Sequence, residues 1–443
     1  MKRKLGIALT AIMLGVGILS GCSSSGNNSA DNTAATGTNN TSTNAGSNEG
    51  SSDKPVTLKA IFMKQAGYSE EATQEATDEF MKLNPTIKVE PTFVAYESLE
   101  QKIITGGSSY DVVLIDAPWT AKFAEAGIIK NVSDKLPAEE RSDIFQGALD
   151  SVTYKNELYG MPWLNDTRYL FYNKEMLQKA GFDAPPATWD ELLAQAKVLK
   201  EKGIVDYPLV ATWKQSEALV CDVTSITESF GGHLVKDGNI TINDPANVDA
   251  INFMAQSIKD GLTNPNSLEY LEDDVTGVFS SGKAAFALNW TYMFNAANND
   301  TEKSQVVGKV GIALSPGTSK AVSATVNGGM GLAVTKGSKN ADAAWKYIQF
   351  LADKDFQKKY AKDALPIWKS LYEDQDVVAT NPELVNLAKT QYNYLVNRAI
   401  VPWYGEFSTE AQVAVSEALN GSKTAQSALD ELQKKATDIS QES

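Results

Sequence analysis

The sequence predicts an α/β protein of two lobes, each built on a doubly wound, mostly parallel sheet. A chain of 443 residues exceeds what one ordinary core holds, so two domains or lobes are expected. Between residues 56 and 126 an extended apolar pattern and a 3.6-residue amphipathic pattern alternate three times, as strands joined by crossover helices do. The run Val112-Val113-Leu114-Ile115 has no polar side, as in a strand covered on both faces.

The elements follow in order. Lys2, Arg3 and Lys4 precede an apolar run over 5–19 and then Leu19-Ser20-Gly21-Cys22. This is a secretory signal over 1–21, too short for a comfortable membrane span. Its ending resembles the lipobox of bacterial lipoproteins, which implies cleavage before Cys22 and a diacylglycerol on its sulfur. The stretch 23–54 has no aromatic and no aliphatic larger than Ala. It cannot bury enough apolar surface to offset its ordering entropy, so 22–54 is expected to be a disordered tether. A strand is expected over 56–63, a helix over 71–83 stopped by Asn84-Pro85, and a strand over 87–94. A helix over 98–104 ends at Gly106-Gly107, the strand 112–115 follows, and a helix over 119–126 closes with Gly127. Ligands of such sheets lie beyond the carboxyl ends of strands. Asp116 and Trp119 therefore fall where a cleft would be, although Asp116 equally suits the N-cap region of the next helix.

Thr188-Trp189-Asp190-Glu191 has capping-box spacing and opens a helix ended by Gly203, and Asn243-Asp244-Pro245 opens another. The segment GVFSSGKA over 277–284 is one residue short of a phosphate-binding loop, lacks the hydroxyl that would hold magnesium, and follows no long strand, so nucleotide binding is rejected.

The stretch 158–174, LYGMPWLNDTRYLFYNK, sets Tyr159, Trp163, Tyr169, Phe171 and Tyr172 beside Asn165, Asp166 and Arg168. Flat apolar rings beside directional polar groups suit a pyranose, which offers C–H faces to rings and hydroxyls to charged side chains. A core strand of aromatics with an Asp166–Arg168 ion pair fits the same residues.

Composition narrows the chemistry. The formal net charge is −15, and loss of the signal's three cations makes it more negative, which argues against nucleic acid. With Cys22 lipidated only Cys221 remains, so no internal disulfide forms. The single His233 disfavours His-dependent hydrolysis and multi-His metal sites. No cofactor is implied, and no GxSxG, HExxH or CxxC occurs.

Six segments, YDVVLIDAPWTAKFAEAGII, LYGMPW…DTRYLFYNK, ATWDELL, FSSGKAAFALNW, NGGMGLAVTKGSKNADAAWKYIQFLAD and ALNGSKTAQSALDELQKK, together resemble the family 1 extracellular solute-binding proteins. The closest subgroup in pattern is the maltose, trehalose and oligosaccharide binders, and the likeness spans 56–439. It implies a two-lobe Venus-flytrap fold with a multi-segment hinge. Lobe one would be 55–163 with 327–365, and lobe two 164–326 with 366–443. It also implies a monomeric, non-enzymatic lipoprotein on the outer face of a bacterial cell membrane, which captures a small carbohydrate and passes it to the permease subunits of an ABC importer. By the same resemblance Asp116 and Asp166 accept sugar hydroxyls, Trp290 stacks on a ring, Gly329 is the hinge glycine, and Arg398 and Tyr404 come from the last helical segment. Met330 stands where many relatives have Trp. Composition adds Gln65, Tyr68, Trp119, Trp163, Arg168, Trp213, Trp368 and Trp403 as further candidates, whereas Trp189 and Trp345 have the spacing of packing residues. Competing readings are a cell-surface glycoside hydrolase, which needs two carboxylates flanking the scissile bond, and the same fold holding a peptide or polyamine.

Overall fold

The computed structural model describes residues 55–64, 67–236 and 238–442. The signal, the tether, Cys22 and Gln65 lie outside the described residues. The larger strands in chain order are β1 (Val56–Met63), β2 (Ile87–Val94), β3 (Val112–Asp116), β4 (Met161–Leu164), β5 (Arg168–Asn173) and β6 (Leu209–Val210). They continue as β7 (Phe286–Trp290), β8 (Val310–Ala313), β9 (Thr325–Val326), β10 (Met330–Val334) and β11 (Leu395–Val396).

The first lobe holds a five-stranded sheet in the order β2-β1-β3-β10-β4. β1 runs parallel to β2 and β3, as the alternation of strands and helices predicted. β10 is antiparallel to both β3 and β4. In the second lobe the order is β8-β5-β7-β6, with a parallel pair only at β7 and β6. Each sheet thus runs mostly one way with a single reversed strand, β10 in the first and β5 in the second. The reason is local to the junction, because β5 and β10 enter their sheets straight from the other lobe without the crossover helix that a parallel neighbour needs.

Alternation along β5 explains the aromatic stretch. Leu170 faces a core with Trp189, Leu192, Leu219, Phe286 and Phe407, while Tyr169 and Phe171 face another with Phe279, Ala287, Leu384 and Tyr392. Both faces of the sheet are covered, so three consecutive aromatic and aliphatic side chains are all buried. The first lobe's core packs Phe62, Phe80, Leu114, Trp163, Trp345 and Ile348. Trp189 and Trp345 are both buried among these apolar side chains, and the Trp189 indole donates to Ser229 Oγ at 2.9 Å.

Three segments join the lobes side by side. β9 pairs in parallel with β11, Thr167 bridges Asn327, and the Gly328 N–H donates to the Asp166 carbonyl at 2.9 Å. The Thr167 hydroxyl donates to the Val326 carbonyl at 2.7 Å. The outer bounds differ from the expected divisions. Leu164 still belongs to the first core, and so do Ile367, Trp368, Leu371 and Val377, while Leu365 and Tyr372, interleaved with them, pack in a core of the second lobe. The last passage between lobes is drawn out beyond residue 365.

Gly331 lies in β10 where a Cβ would meet Val152 Cγ1 at 2.1 Å and the Met161 carbonyl oxygen at 3.0 Å. Gly331→Ala should cost about 1–3 kcal/mol through overpacking against backbone that cannot retreat. Urea unfolding checks this, and a midpoint equal to wild type would mean that β10 and β4 are not packed so closely.

Candidate functional site

β3 ends its buried apolar run on Asp116, which is 1% exposed. Its Oδ1 accepts from Arg398 Nη2 at 2.8 Å and from the Ala117 N–H at 2.8 Å, and its Oδ2 accepts from the Tyr96 hydroxyl at 2.8 Å. Tyr96 opens the helix after β2, and its ring stacks on Trp119 at 5.2 Å between centroids. Burial, reinforced by Asp116 and Glu217, raises the Tyr96 phenol well above its ordinary range. Arg398 stands two residues past β11, and its Nη1 donates to Glu217 Oε1 at 2.8 Å. Glu217, the first residue of the helix Glu217–Ser229, also accepts from the hydroxyls of Tyr404 and Ser408. Asp116 from lobe one and Glu217 from lobe two thus share one guanidinium. Cys221 lies one turn along that helix, and burial pushes its thiol up to about 12, which leaves it protonated and unreactive.

A second group lies where β5 leaves the junction. Arg168 is paired in register with Trp290 across β5 and β7, and its guanidinium lies 4.6 Å from the indole centroid. Its Nη1 reaches Asp222 Oδ1 and its Nη2 reaches Glu272 Oε1, both at 2.9 Å. Glu272 Oε1 also accepts from the Trp290 indole at 3.3 Å, so one carboxylate oxygen fixes both the cation and the ring. Gly328 supplies space, because a Cβ there would meet the indole at 2.4 Å. Asp166 accepts from the Thr167 N–H at 2.8 Å and from the Thr291 hydroxyl, all through Oδ1. Burial raises its carboxyl to about 6, against the pull of those donors and of Arg168.

Of the candidates named from the sequence, Asp116, Trp119, Arg398 and Tyr404 meet in the first group and Asp166, Arg168 and Trp290 in the second. Met330 is half-buried opposite Asp116 in the β10 and β3 register. The Gly329 N–H donates to Asn327 Oδ1 at 2.9 Å within the junction. Arg168 does not pair with Asp166, since its fork is taken by Asp222 and Glu272. Five others are packing positions. Trp163 donates its indole N–H to Leu351 O at 3.0 Å and packs at a tilt against Tyr68 with ring centroids 5.0 Å apart, and Trp368 donates to Ala352 O at 2.8 Å. Trp213 and Trp403 are buried in the second lobe's core. Their places near Pro or loop junctions misled, because these loops fold back onto the cores. Tyr96, Glu217, Asp222, Glu272 and Thr291 were missed. Their partners lie tens of residues or more away in the chain, and only Glu217, an acid opening a helix, carries a local sign.

Residues 66–358 match the family of bacterial extracellular solute-binding proteins. The chain belongs to that family. A probable ABC transporter-binding protein of Deinococcus radiodurans is 31% identical over 311 residues, covering 68% of this chain and 73% of its own. Among solved structures, the maltose-bound MalE3 of T. maritima superposes with a TM-score of 0.79 at 28% identity, covering 87% of this chain and all of its own. A solute-binding protein of Thermotoga lettingae bound with α-D-tagatose gives 0.77 at 26% identity, covering 87% and 99%. The solute-binding protein is thus a two-lobe member of the ABC-importer class and not an enzyme.

The Asp166 carboxyl sets a pH dependence. Its folded pKa of about 6 exceeds the ordinary 3.8, so between those values the folded chain holds a proton the unfolded chain has lost. Stability should fall as pH rises from about 4 to about 6 and level off above. Between pH 4 and pH 7 the wild type should lose about 2 kcal/mol more than Asp166→Asn, at about 1.4 kcal/mol per unit less some relief from partial exposure. Parallel urea titrations decide it, and equal losses would place Asp166 in an ordinary solvated setting.

Proposed function

We propose that the protein captures a saccharide between its lobes and hands it to the permease of an ABC importer while tethered to the outer face of the cell membrane through lipid on Cys22. The observation that carries this reading is Trp290. It is a half-buried aromatic platform at the lobe junction, oriented by Arg168 and Glu272, with Asp166 in the crossing segment just before β5. A ring held this way covers the C–H face of a pyranose without losing much side-chain freedom on binding, and a neighbouring carboxylate takes hydroxyls. Asp116 and Tyr96 would close the far side from the other lobe, with Arg398 reaching across to Asp116. The ligands bound by two similar structures, maltose and α-D-tagatose, are of the class this chemistry suits, and Met330 offers a softer apolar face than an indole would.

A thermal-shift screen of mono- and oligosaccharides with product analysis tests the reading. A raised melting temperature without turnover is expected for the true ligand, and the absence of any shift across neutral saccharides would sink it. For the best hit, Trp290→Ala should weaken binding about thirtyfold or more, since loss of one anchoring aromatic costs about 2 kcal/mol or more. Trp163→Phe serves as the contrast, lowering the melting temperature of the empty protein while sparing affinity. Calorimetric titration of both separates the roles, and near wild-type affinity in Trp290→Ala would remove the proposed platform.

The anchor is tested separately. Cys22→Ala should move the folded protein into the soluble fraction with saccharide affinity unchanged, because by composition the tether has no aromatic and no aliphatic larger than Ala to bury. Retention on membranes after a salt wash would contradict the lipid anchor.

A further inference from the structure

We infer that Glu217 is a positioning residue that fixes Arg398 to the second lobe, so that the Arg398–Asp116 bond acts as a clasp and is the bond that parts when the lobes open. The inference rests on the reading above only in taking the lobes to close over a ligand.

One guanidinium is divided between two carboxylates, Nη1 to Glu217 and Nη2 to Asp116, each at 2.8 Å. Each carboxylate is held by its own lobe. Asp116 ends β3 and takes the Tyr96 hydroxyl, both within lobe one. Glu217 takes the hydroxyls of Tyr404 and Ser408, both on the helix Tyr404–Leu419 of lobe two. The backbone of Arg398 decides which partner it keeps. Ala399 and Val401 pack against the second lobe's core, and Trp403, Tyr404 and Phe407 lie within it. Tyr404, six residues along the chain, shares the same carboxylate as Arg398. Arg398, Glu217, Tyr404 and Ser408 thus move as one body, and among the described residues the one ion pair of Arg398 to lobe one is Asp116.

Separating the lobes therefore breaks the Asp116 bond and keeps the Glu217 bond. The clasp is buried when closed, with Arg398 5% and Asp116 1% exposed, but both ends meet water when it parts. It therefore biases the equilibrium between closed and open forms and does not lock it. Parting also frees Asp116 Oδ1 for a ligand hydroxyl. Without the charge on Glu217, the backbone of Arg398 stays with lobe two but its guanidinium is no longer held in line with Asp116, which weakens the clasp.

The test needs no ligand. Spin labels at Lys88→Cys in β2 and Lys197→Cys in the helix Trp189–Glu201, both exposed, report the lobe separation in the Cys22→Ala chain by pulsed electron paramagnetic resonance. Buried Cys221 stays unlabelled. Glu217→Gln and Asp116→Asn should each lower the ratio of short to long distances at least fivefold, and the double variant should go no further, since both break one clasp. Glu217→Asp, which keeps the charge, should restore part of the ratio. Melting curves of the same proteins detect a purely structural effect. A ratio unmoved by Glu217→Gln, effects that multiply in the double variant, or a lower melting temperature with the distances unchanged would each overturn the inference. A saccharide screen that fails would sink the functional reading and leave this outcome untouched, because the distances are read on the empty protein.

Discussion

Two buried guanidiniums impose the constraint on which the junction depends. An arginine taken out of water without partners costs several kcal/mol, and the cost falls only when carboxylates with good geometry surround it. Arg168 meets this with Asp222 and Glu272, and Arg398 with Asp116 and Glu217. Two of the four acids, Glu217 and Asp222, sit on one helix, five residues apart, so its first turns face both cations. That helix is the common wall of the two groups. Its placement decides where the guanidinium behind Trp290 lies and, independently, where the guanidinium that reaches lobe one lies.

The same constraint accounts for the mixed sheets. β5 must start at Arg168 directly after the Thr167 crossing, and β10 must start at Met330 directly after the Gly328 crossing, if the charged and aromatic groups are to stand at the junction. A strand that enters a sheet from a crossing has no length of chain for a helix, so it pairs antiparallel with its neighbours. Hydrogen bonds from Gly328 to Asp166 and from Thr167 to Val326 then hold the crossings side by side. These bonds link the crossing segments to one another, whereas the bond from Arg398 to Asp116 joins a group held by one lobe to a group held by the other.

Much of the architecture was legible because it is encoded locally. The extended apolar pattern of β1, the unbroken apolar run of β3, and helix ends at Asn84-Pro85 and Gly127 each follow from neighbours in sequence. The sequence pointed to Asp116, Asp166 and Trp290 through resemblance, and to Asp116 also through its place at the end of a strand. What could not be read were partners. Nothing near Arg168 says that its fork goes to residues 54 and 104 positions away, and the adjacent Asp166 was the natural but mistaken choice. The tryptophans failed for a related reason. A Trp beside a proline reads as a loop residue, yet the Trp163 indole spans to Leu351 and the Trp368 indole to Ala352, contacts made by folding and not by local pattern.

The density of internal partners also shapes what a ligand can gain. Asp116 already accepts three hydrogen bonds and both terminal nitrogens of Arg398 are taken by carboxylates, so a ligand hydroxyl that reaches those atoms replaces a protein partner. Exchange of one hydrogen bond for another contributes little net free energy. The polar groups therefore act mainly by rejection, since a ligand that displaces Arg398 from Asp116 without offering a donor leaves a buried carboxylate short of a partner. Net affinity has to come from surface that is poorly satisfied in the empty protein, and the half-buried indole of Trp290 is such a surface. On this argument the arginine and carboxylate network selects the ligand's hydroxyl pattern, while the aromatic platform supplies most of the binding free energy.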